Sequence, residues 1–399
     1  MTSAGTGTPA SAGSARASAS VIVLNAGSSS LKASLIGAGN TVDSALELDE
    51  WDGSGDHPEL TSFLTAAARA ASVVAHRVVH GGNSFRRAVL IDDSVIDAIQ
   101  GLTDLAPLHQ PRALAGIQAA RRLLPRLPAV ACFDTAFHAD MPDAAARYAL
   151  PGAWVHQFGL RRFGFHGLSH EYATRRAAQM LGRDLAGLRI VSCHLGAGAS
   201  LAAVQGGRSV DTTMGFTPLE GLVMATRSGT VDPGLITWLL QHGRLGLDEV
   251  AAGLEQSSGL AGLSGLPGGD VRDVQHAAAD GDPAAQLAIE VYLHRLRREI
   301  AAMAAAMNGL DVLVFTGGIG EHNPAVRARA AEGLGFLGIG IDSERNLATA
   351  DAVISRAPAA VTALVITARE DVEMARQARQ VLARQVLARH DRQGVSADG

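Results

Sequence analysis

Apolar and polar positions change pattern in short blocks along most of this chain, and the blocks alternate between strand and helix. The run Val21-Ile22-Val23-Leu24 enters a turn of small residues, Asn25-Ala26-Gly27-Ser28-Ser29-Ser30, and leaves through alternating residues over 31–36. That pattern predicts two strands joined by a small-residue loop. The segment 189–204 repeats the design: an apolar strand, a polar residue, the loop Gly196-Ala197-Gly198, then a second alternating strand. Asn25 and His194 stand at matching places at the two loop entrances. Further strands are predicted over 73–80, stopping at Gly81-Gly82, over 129–133, ending at Asp134-Thr135, and over 312–315, running into a glycine-rich turn. A long helix is predicted over 283–307. There Ile289, Leu293, Leu296, Ile300, Met303 and Met307 recur at steps of four and three, forming one core stripe. Pro283 suits the first turn of that helix, and Asn308-Gly309 suits its C-terminal cap. Strand and helix in alternation, with ligand-sized loops at strand ends, define an α/β chain.

The two hairpin loops carry the first chemical signal. Gly and Ser let backbone N–H groups and hydroxyls approach an anion closely, and Lys32 adds a positive charge. This is not the Walker-type loop, whose Gly-Lys-Ser/Thr opens a helix. Either hairpin alone reads as a phosphate cradle or as a plain turn. Together, one per half of the chain, they read as an internal duplication with nucleotide held between the halves, or as two unrelated hairpins.

Composition narrows the class. A chain of 399 residues suggests two domains. Hydrophobic residues make up 47%, enough for two cores, yet no uncharged apolar run approaches the ~18 residues of a membrane span. The formal net charge of −5 argues against non-specific nucleic-acid binding, and 4% aromatics leave few stacking platforms for bases. Cys132 and Cys193 lie in apolar, strand-like runs and read as reduced core residues of a cytoplasmic protein. Residues 1–20, rich in Ala and Ser, read as a disordered tail; 389–399 read as a second loose tail. A mitochondrial-type presequence would rest on Arg16 alone.

The ordered motifs point to a family. The first half holds Asn25-Ala26-Gly27-Ser28-Ser29-Ser30-Leu31-Lys32, His76-Arg77-Val78-Val79-His80-Gly81-Gly82 and Leu105-Ala106-Pro107-Leu108-His109. Phe133-Asp134-Thr135-Ala136-Phe137-His138 and Phe165-His166-Gly167-Leu168-Ser169-His170 follow. The second half adds His194-Leu195-Gly196, Asp211-Thr212-Thr213-Met214-Gly215-Phe216-Thr217-Pro218-Leu219-Glu220-Gly221 and Thr226-Arg227-Ser228-Gly229. Asp270-Val271-Arg272-Asp273, Phe315-Thr316-Gly317-Gly318-Ile319-Gly320-Glu321 and the Glu370 segment close the series. In this order and spacing the chain resembles the acetate kinase family, short-chain acyl kinases of the actin, sugar-kinase and Hsp70 fold group.

The resemblance implies a duplicated actin-like, ribonuclease H-like ATPase α/β fold with two domains and an interdomain cleft. The N-terminal domain would span 21–136, with 371–388 packing back on it. The C-terminal domain would span 137–370 and carry the nucleotide site and the interface of a homodimer. The implied reaction is reversible, Mg²⁺-dependent, direct in-line transfer of the ATP γ-phosphoryl group to acetate, giving acetyl phosphate and ADP. Manganese is an alternative metal. Neither a nucleic acid nor a membrane is an expected partner.

Phosphorylating a carboxylate needs no strong general base, because a carboxyl group of pKa ~4 is already ionised at neutral pH. The obstacle is bringing one anion against another, so the site needs fixed positive charge, a metal and in-line positioning. From the motifs, Arg77, inside an apolar strand, and Arg227 supply that charge, each readable as a functional cation or as half of a salt bridge. The resemblance assigns Arg77 to the acyl substrate, and His166 and Arg227 to the transition state. It implies a proton donor or acceptor at Asp134. Because the acceptor is ionised, we expect Asp134 to orient Arg227 or the magnesium shell; a strand-end Asp also reads as a helix N-cap. Glu370 and Asn25 match the metal-linked positions. Val79, Leu108, Phe165 and Pro218 match the acetate pocket, whose Val79 narrows it towards acetate over propionate. One methylene there is worth only ~1–3 kcal/mol, so some propionate use is expected.

Nucleotide contacts carry over to His194, Leu195, Gly196, Ala197 and Gly198 along the phosphates, with Lys32 reaching them as well. Asp270, Val271 and Arg272 with Gly318, Ile319, Gly320, Glu321 and His322 would hold the adenosine end. The chain departs from the family pattern at Ala197 and His322, both usually Asn, at Asn83, usually Glu, and at Arg369-Glu370-Asp371, where Asn-Glu-Glu is common. His166 and His170 have the spacing of a helical metal pair, but Gly167 weakens the helix and the Glu of a zinc protease is absent. Propionate kinase activity on the same scaffold is the near alternative. An actin-like or Hsp70-like ATP switch, or a phosphatase acting on phosphate chains, are the distant ones.

Overall fold

The computed structural model describes residues 19–27, 30–51, 53 and 57–395, with side chains to 387. The expected N-terminal tail up to residue 18 and the loop residues Ser28 and Ser29 lie outside the described residues, as do 396–399.

Two six-stranded sheets organise the chain. The first contains β1 (Ser20–Ala26), β2 (Leu31–Ile36), β3 (Val42–Leu48), β4 (Ala71–Val78), β5 (Val89–Leu90) and β6 (Ala129–Phe133). Its spatial order is β3-β2-β1-β4-β6-β5. The second contains β7 (Arg189–Leu195), β8 (Ala199–Gln205), β9 (Arg208–Thr212), β10 (Val312–Thr316), β11 (Ala352–Val353) and β12 (Thr362–Val365). Read from β9, its order is β9-β8-β7-β10-β12-β11, the first order with six added to every number. Strand directions repeat too. The leading three strands are antiparallel (β1 with β2 and β2 with β3; β7 with β8 and β8 with β9), the next two join in parallel, and the edge strand is antiparallel. Six strands repeating in order and direction are an internal duplication, which decides between the two readings of the hairpins.

The registers place the loop chemistry at equivalent points. Asn25 pairs with Lys32 across the first hairpin, and His194 pairs with Ser200 across the second. Apolar residues of each sheet bury against helices. Ile22, Leu24 and Leu31 pack with Trp51, Leu60 and Leu64 in the first core. Ile190, Val204, Val312 and Leu364 pack with Ala173 and Ala177 of the helix Gly167–Leu181 in the second.

The chain divides into two compact units, one of Met1–Gly81, Arg87–Phe133 and Asp371–Gly399, the other of Gly82–Arg86 and Asp134–Glu370. The C-terminal helix Glu370–Val395 is tied into the first unit by Arg379, which donates to the carbonyls of Ala19 (2.9 Å) and Gly37 (2.7 Å) and to Asn40 Oδ1 (2.8 Å). Helix continues through 389–395, so the expected loose tail is helical up to Val395.

Local expectations fared unevenly. The strand predicted over 129–133 is β6, and the long helix spans Pro283–Ala306, with Asp282 accepting from Ala284 N (2.8 Å) and Met307 as its C-cap. Gly309 (φ 132°) returns its N–H to the Ala304 carbonyl (3.0 Å), closing the helix end. The strand predicted over 73–80 sits two residues earlier, over Ala71–Val78. The glycine-rich turn after β10 is a short helix, Gly317–His322, started by Gly317 at φ 76°. No helix among the described residues is long and apolar enough to cross a membrane.

His76 is an anomaly in the first core. It is 2% exposed between Leu24 and Ala131 on β4, its Nε2 has no hydrogen-bond partner, and burial pushes its pKa down to about 3. The unfolded chain would protonate this ring near pH 6.5, whereas the folded chain refuses the proton until about pH 3. Stability is therefore unaffected above pH 6.5 and falls as pH drops through that window, by on the order of 4 kcal/mol at its lower end. His76→Leu should flatten this part of the acid sensitivity. Denaturant unfolding at pH 7 and pH 4.5 checks it: equal losses in the two proteins would refute the assignment.

Candidate active site

Within the second unit, the loop bearing Arg227 is clamped by backbone bonds. Ala225 N donates to the Ala197 carbonyl (3.1 Å), and Leu260 N and Ala261 N donate to the carbonyls of Met224 and Ala225 (2.9 Å each). Ser228 N donates to the Leu254 carbonyl (2.9 Å). The half-buried guanidinium of Arg227 has weak neighbours: the Pro218 carbonyl at 3.4 Å and Met224 Sδ at 3.9 Å from Nη1. It forms no ion pair among the described residues, and burial lowers its pKa, with distant Glu255 opposing. Arg162, Arg176 and Arg189, by contrast, pair with Glu220 (2.7 Å), Asp351 (2.7 Å) and Asp311 (3.0 Å).

His166 stands beside this charge. A Cβ built on Gly198 would lie 3.5 Å from both Arg227 Nη1 and His166 Nε2, so the glycine leaves open the spot where the two converge. His166 is the N-cap of the helix Gly167–Leu181 and adopts φ 56°, a left-handed conformation uncommon for a side-chain-bearing residue. The fold holds it there because Gly167 N donates to the Asp134 carbonyl (2.9 Å) at the end of β6. Asp134 itself is 1% exposed.

Four histidines gather behind this point, each braced by a serine. His166 Nδ1 and His170 Nε2 both hydrogen-bond Ser200 Oγ, at 2.9 and 2.8 Å. His170 Nδ1 meets Ser192 Oγ (2.9 Å), His138 Nδ1 meets Ser209 Oγ (2.7 Å), and His194 Nδ1 meets Ser169 Oγ (2.7 Å). The rings of His166 and His194 stack at 4.3 Å. Burial pushes His138 down to about 4 and His170 well below the usual imidazole range. The second ring nitrogen of His138 faces the Phe165 carbonyl (3.0 Å), which fixes the irregular segment leading into His166. The loop with Pro218 has its own brace: Tyr148 Oη donates to Glu220 (2.6 Å), and Arg162 donates to the carbonyls of Thr213 and Met214 (3.1 Å each).

A pocket of about 350 Å³ opens nearby in the same unit. Of the residues expected at the nucleotide, Gly196, Ala197, Asp270, Val271, Arg272, Gly318, Ile319 and His322 line it; Met224, Leu260, Tyr292 and Asn323 do so as well and were not foreseen. Asp270 caps the helix Val271–Ala279 through Arg272 N (2.8 Å) and holds the Arg272 guanidinium at 2.6–3.0 Å, which lowers the Asp270 pKa to about 2. Glu321 turns away from the pocket. Its Oε1 accepts from Gly317 N and Ala368 N, both at 2.9 Å, joining the short helix to the segment that leads into Glu370. Arg327, 1% exposed, donates to the carbonyls of Gly320 (2.9 Å) and Glu321 (2.7 Å) from below.

The acetokinase family profile matches residues 59–376. This chain belongs to the acetokinase family. It is 51% identical to the acetate kinase of Deinococcus deserti over 317 residues, 78% of each chain. It is 42% identical to that of Shouchella clausii over 388 residues, 90% of this chain and 98% of the other. The Porphyromonas gingivalis acetate kinase structure superposes with a TM-score of 0.84 at 35% identity, covering 91% of this chain and all of that one. A propionate kinase from Francisella tularensis follows at 0.83 and 35%, with the same coverage. The fold is therefore the duplicated actin-like ATPase fold.

Asn25, Lys32, Arg77, Val79 and Leu108 lie in the first unit. Arg77 Nη1 donates to Asn25 Oδ1 (3.1 Å), so neighbouring strands β4 and β1 bring these two together. Val79 is buried and Leu108 is 57% exposed. Their segments are tied by Gln110, whose Nε2 donates to the His80 carbonyl (3.1 Å). Lys32 is committed to its cross-strand partner Glu47 (2.6 Å) on the exposed face of the sheet. Among the described residues, no three His, Cys, Asp or Glu side chains form a metal cage. Of the two expected metal-linked residues, Asn25 belongs to the first unit and Glu370 to the second.

A Cβ at Gly167 would collide with the Asp134 carbonyl oxygen and lie 2.9 Å from Phe137 Cβ. Gly167→Ala must therefore push the segment 134–137 and the helix start apart. We expect a stability loss of ~2–4 kcal/mol, with kcat falling at least tenfold as His166 moves. Thermal unfolding and turnover check this, and a variant matching wild type in both would exclude the close approach.

Proposed function

We propose that this chain is an acetate kinase, transferring the γ-phosphoryl group of ATP reversibly to acetate to give acetyl phosphate and ADP. The carrying observation is the half-buried Arg227, without an ion pair and converging with His166 on the open space at Gly198. A cation held there is suited to an incoming anion, as transfer between carboxylate and phosphate requires. The acetate carboxylate attacks as the ionised species, so no residue need remove a proton. Arg227 and His166 offset charge on the transferring phosphoryl oxygens. Arg77 binds the acyl carboxylate, while Val79, Leu108, Phe165 and Pro218 enclose the methyl group. Asp134 positions rather than acts as a base, its strand end holding Gly167 and hence His166. Magnesium, when bound, would supply charge that offsets the phosphates, and Glu370 would be the protein carboxylate that holds it. ATP or ADP occupies the pocket between the Gly196-Ala197 turn, Asp270–Arg272 and the Gly318–His322 helix.

We infer a homodimer formed by the second unit. The helix Pro233–His242 buries none of its residues, and Leu235, Trp238 and Leu240 on it, with Leu247 beyond, are 37–70% exposed. Buried free Cys132 and Cys193 agree with a cytoplasmic location. Sedimentation at the 41.2 kDa of a single chain would overturn the dimer.

The reaction is tested by supplying Mg-ATP with acetate, propionate or butyrate and trapping acyl phosphate with hydroxylamine. Product should be strongest with acetate, and Arg227→Ala should lower kcat by ~10²–10³ in a folded protein. Val79→Ala should shift kcat/KM towards propionate by ~1–2 kcal/mol. ATP turnover without trapped product would favour an ATP switch; an unchanged propionate ratio would refute the pocket assignment.

A further inference from the structure

The histidine behind the candidate site has no role in the proposed reaction, yet its surroundings are built around it. His170 is 0% exposed, in the first turn of the helix Gly167–Leu181, and both ring nitrogens are engaged. Nδ1 meets Ser192 Oγ at 2.9 Å and Nε2 meets Ser200 Oγ at 2.8 Å. Ser200 Oγ also meets His166 Nδ1 at 2.9 Å. The four groups form one continuous chain, Ser192–His170–Ser200–His166. Both serines are buried on paired strands β7 and β8, so the chain opens towards the site at its partly buried His166 end.

We propose that His170 is a positioning residue which, through Ser200, holds the His166 ring with an Nε2 proton directed at the transferring phosphoryl group. This rests on the acetate kinase reading of His166. A hydroxyl offers one proton and accepts others, so hydrogen-bond direction must run consistently along such a chain. In one direction, Ser192 donates to His170 Nδ1, His170 Nε2–H donates to Ser200, and Ser200 donates to His166 Nδ1. A neutral His166 must then carry its proton on Nε2. In the reverse direction, His166 Nδ1–H donates to Ser200, Ser200 donates to His170 Nε2, and His170 Nδ1–H donates to Ser192. His166 then keeps an Nε2 proton only as the cation.

Burial keeps His170 neutral, with a single ring proton, and the proposal places that proton on Nε2, the direction in which neutral His166 carries its own proton on Nε2. The titratable groups facing His170 are His138, at 5.8 Å between ring centroids from the 136–138 turn, and His194 of β7, at 6.3 Å. Each is committed to its own serine. Neither offers His170 a carboxylate that would stabilise a second proton.

Ser200→Ala, His170→Leu and His170→Gln test the proposal with acetate, Mg-ATP and hydroxylamine trapping. Glutamine places an amide N–H near the position of Nε2 and can still donate to Ser200. Ser200→Ala and His170→Leu should each lower kcat about tenfold with both KM values within a factor of two, and His170→Gln should stay within about threefold of wild type. In ¹⁵N spectra of histidine-labelled protein at pH 8, His166 should be a single Nε2–H tautomer, becoming a mixture in Ser200→Ala. The spectral readout stands whether or not the protein phosphorylates acetate. Absence of acyl phosphate from wild type would remove the acetate kinase reading and with it the role given to His166. An active wild type accompanied by a folded Ser200→Ala variant of unchanged kcat and tautomer would overturn this inference alone. Equal losses in His170→Gln and His170→Leu would also overturn it. Should His170→Leu fail to fold, Ser200→Ala, which removes only a hydroxyl, decides.

Discussion

A guanidinium held away from bulk water without a carboxylate is an expensive thing for a fold to keep, and Arg227 is held that way. Its neighbours are a carbonyl at 3.4 Å and a thioether at 3.9 Å. The loop cannot relax to find a better partner, because the carbonyls of Ala197, Met224, Ala225 and Leu254 all accept backbone bonds that fix it. The braces around it consume the other charges. Arg162 is paired with Glu220, and Asp270 with Arg272, each inside its own local network. A cation without an ion pair among the described residues, beside pairs that are already satisfied, is suited to an incoming anion. That constraint explains why so much of the second unit is backbone clamp rather than side-chain chemistry.

Duplication supplied the scaffold, and divergence at equivalent positions supplied the chemistry. Asn25 and His194 each stand one residue before the end of the first strand of a hairpin. Across the ladder, Asn25 faces Lys32 and His194 faces Ser200. In the first copy Lys32 pairs outward with Glu47, and Asn25 accepts from Arg77. In the second copy the same ladder positions feed a buried histidine–serine network. One hairpin geometry thus serves a polar, half-exposed edge in one unit and a dry, directional hydrogen-bond chain in the other.

The strands and the duplication were legible because burial on both faces leaves near-continuous apolar runs, such as Val21-Ile22-Val23-Leu24 and Val312-Leu313-Val314-Phe315. The long helix was legible from its stripe. Side-chain direction was not. Nothing in the string Gly-Gly-Ile-Gly-Glu says that Glu321 turns back to bind Gly317 N and Ala368 N, or that the segment is helical. Arg327, in an Ala-rich helix with one other arginine, Arg329, reads as a solvated charge, yet it is 1% exposed and holds two carbonyls of the pocket helix. Ser200 reads as one more small residue of a strand; only the packing of the helix Gly167–Leu181 on β7 brings His166 and His170 to the same hydroxyl.

The same distinction accounts for the positions where this acetokinase departs from its family pattern. Ala197 is exposed at the pocket, and its fixed contribution is a carbonyl accepting from Ala225 N, which any residue supplies. His322 is exposed at the end of the pocket helix, whose geometry is set by Glu321 at one end and Arg327 at the other. Asn83 donates to the Gly159 carbonyl at 3.1 Å, away from the loop of Arg227. The side chains of Ala197, His322 and Asn83 take no part in the backbone bonds that clamp the Arg227 loop. The groups that cannot vary in this way are those whose side chains are themselves the structure: Gly167 against the Asp134 carbonyl, and the serines on which the four histidines rest. The charge geometry at Gly198 therefore rests on residues one layer behind the pocket, Ser200 under His166 and the Asp134 carbonyl against Gly167, rather than on the exposed pocket wall.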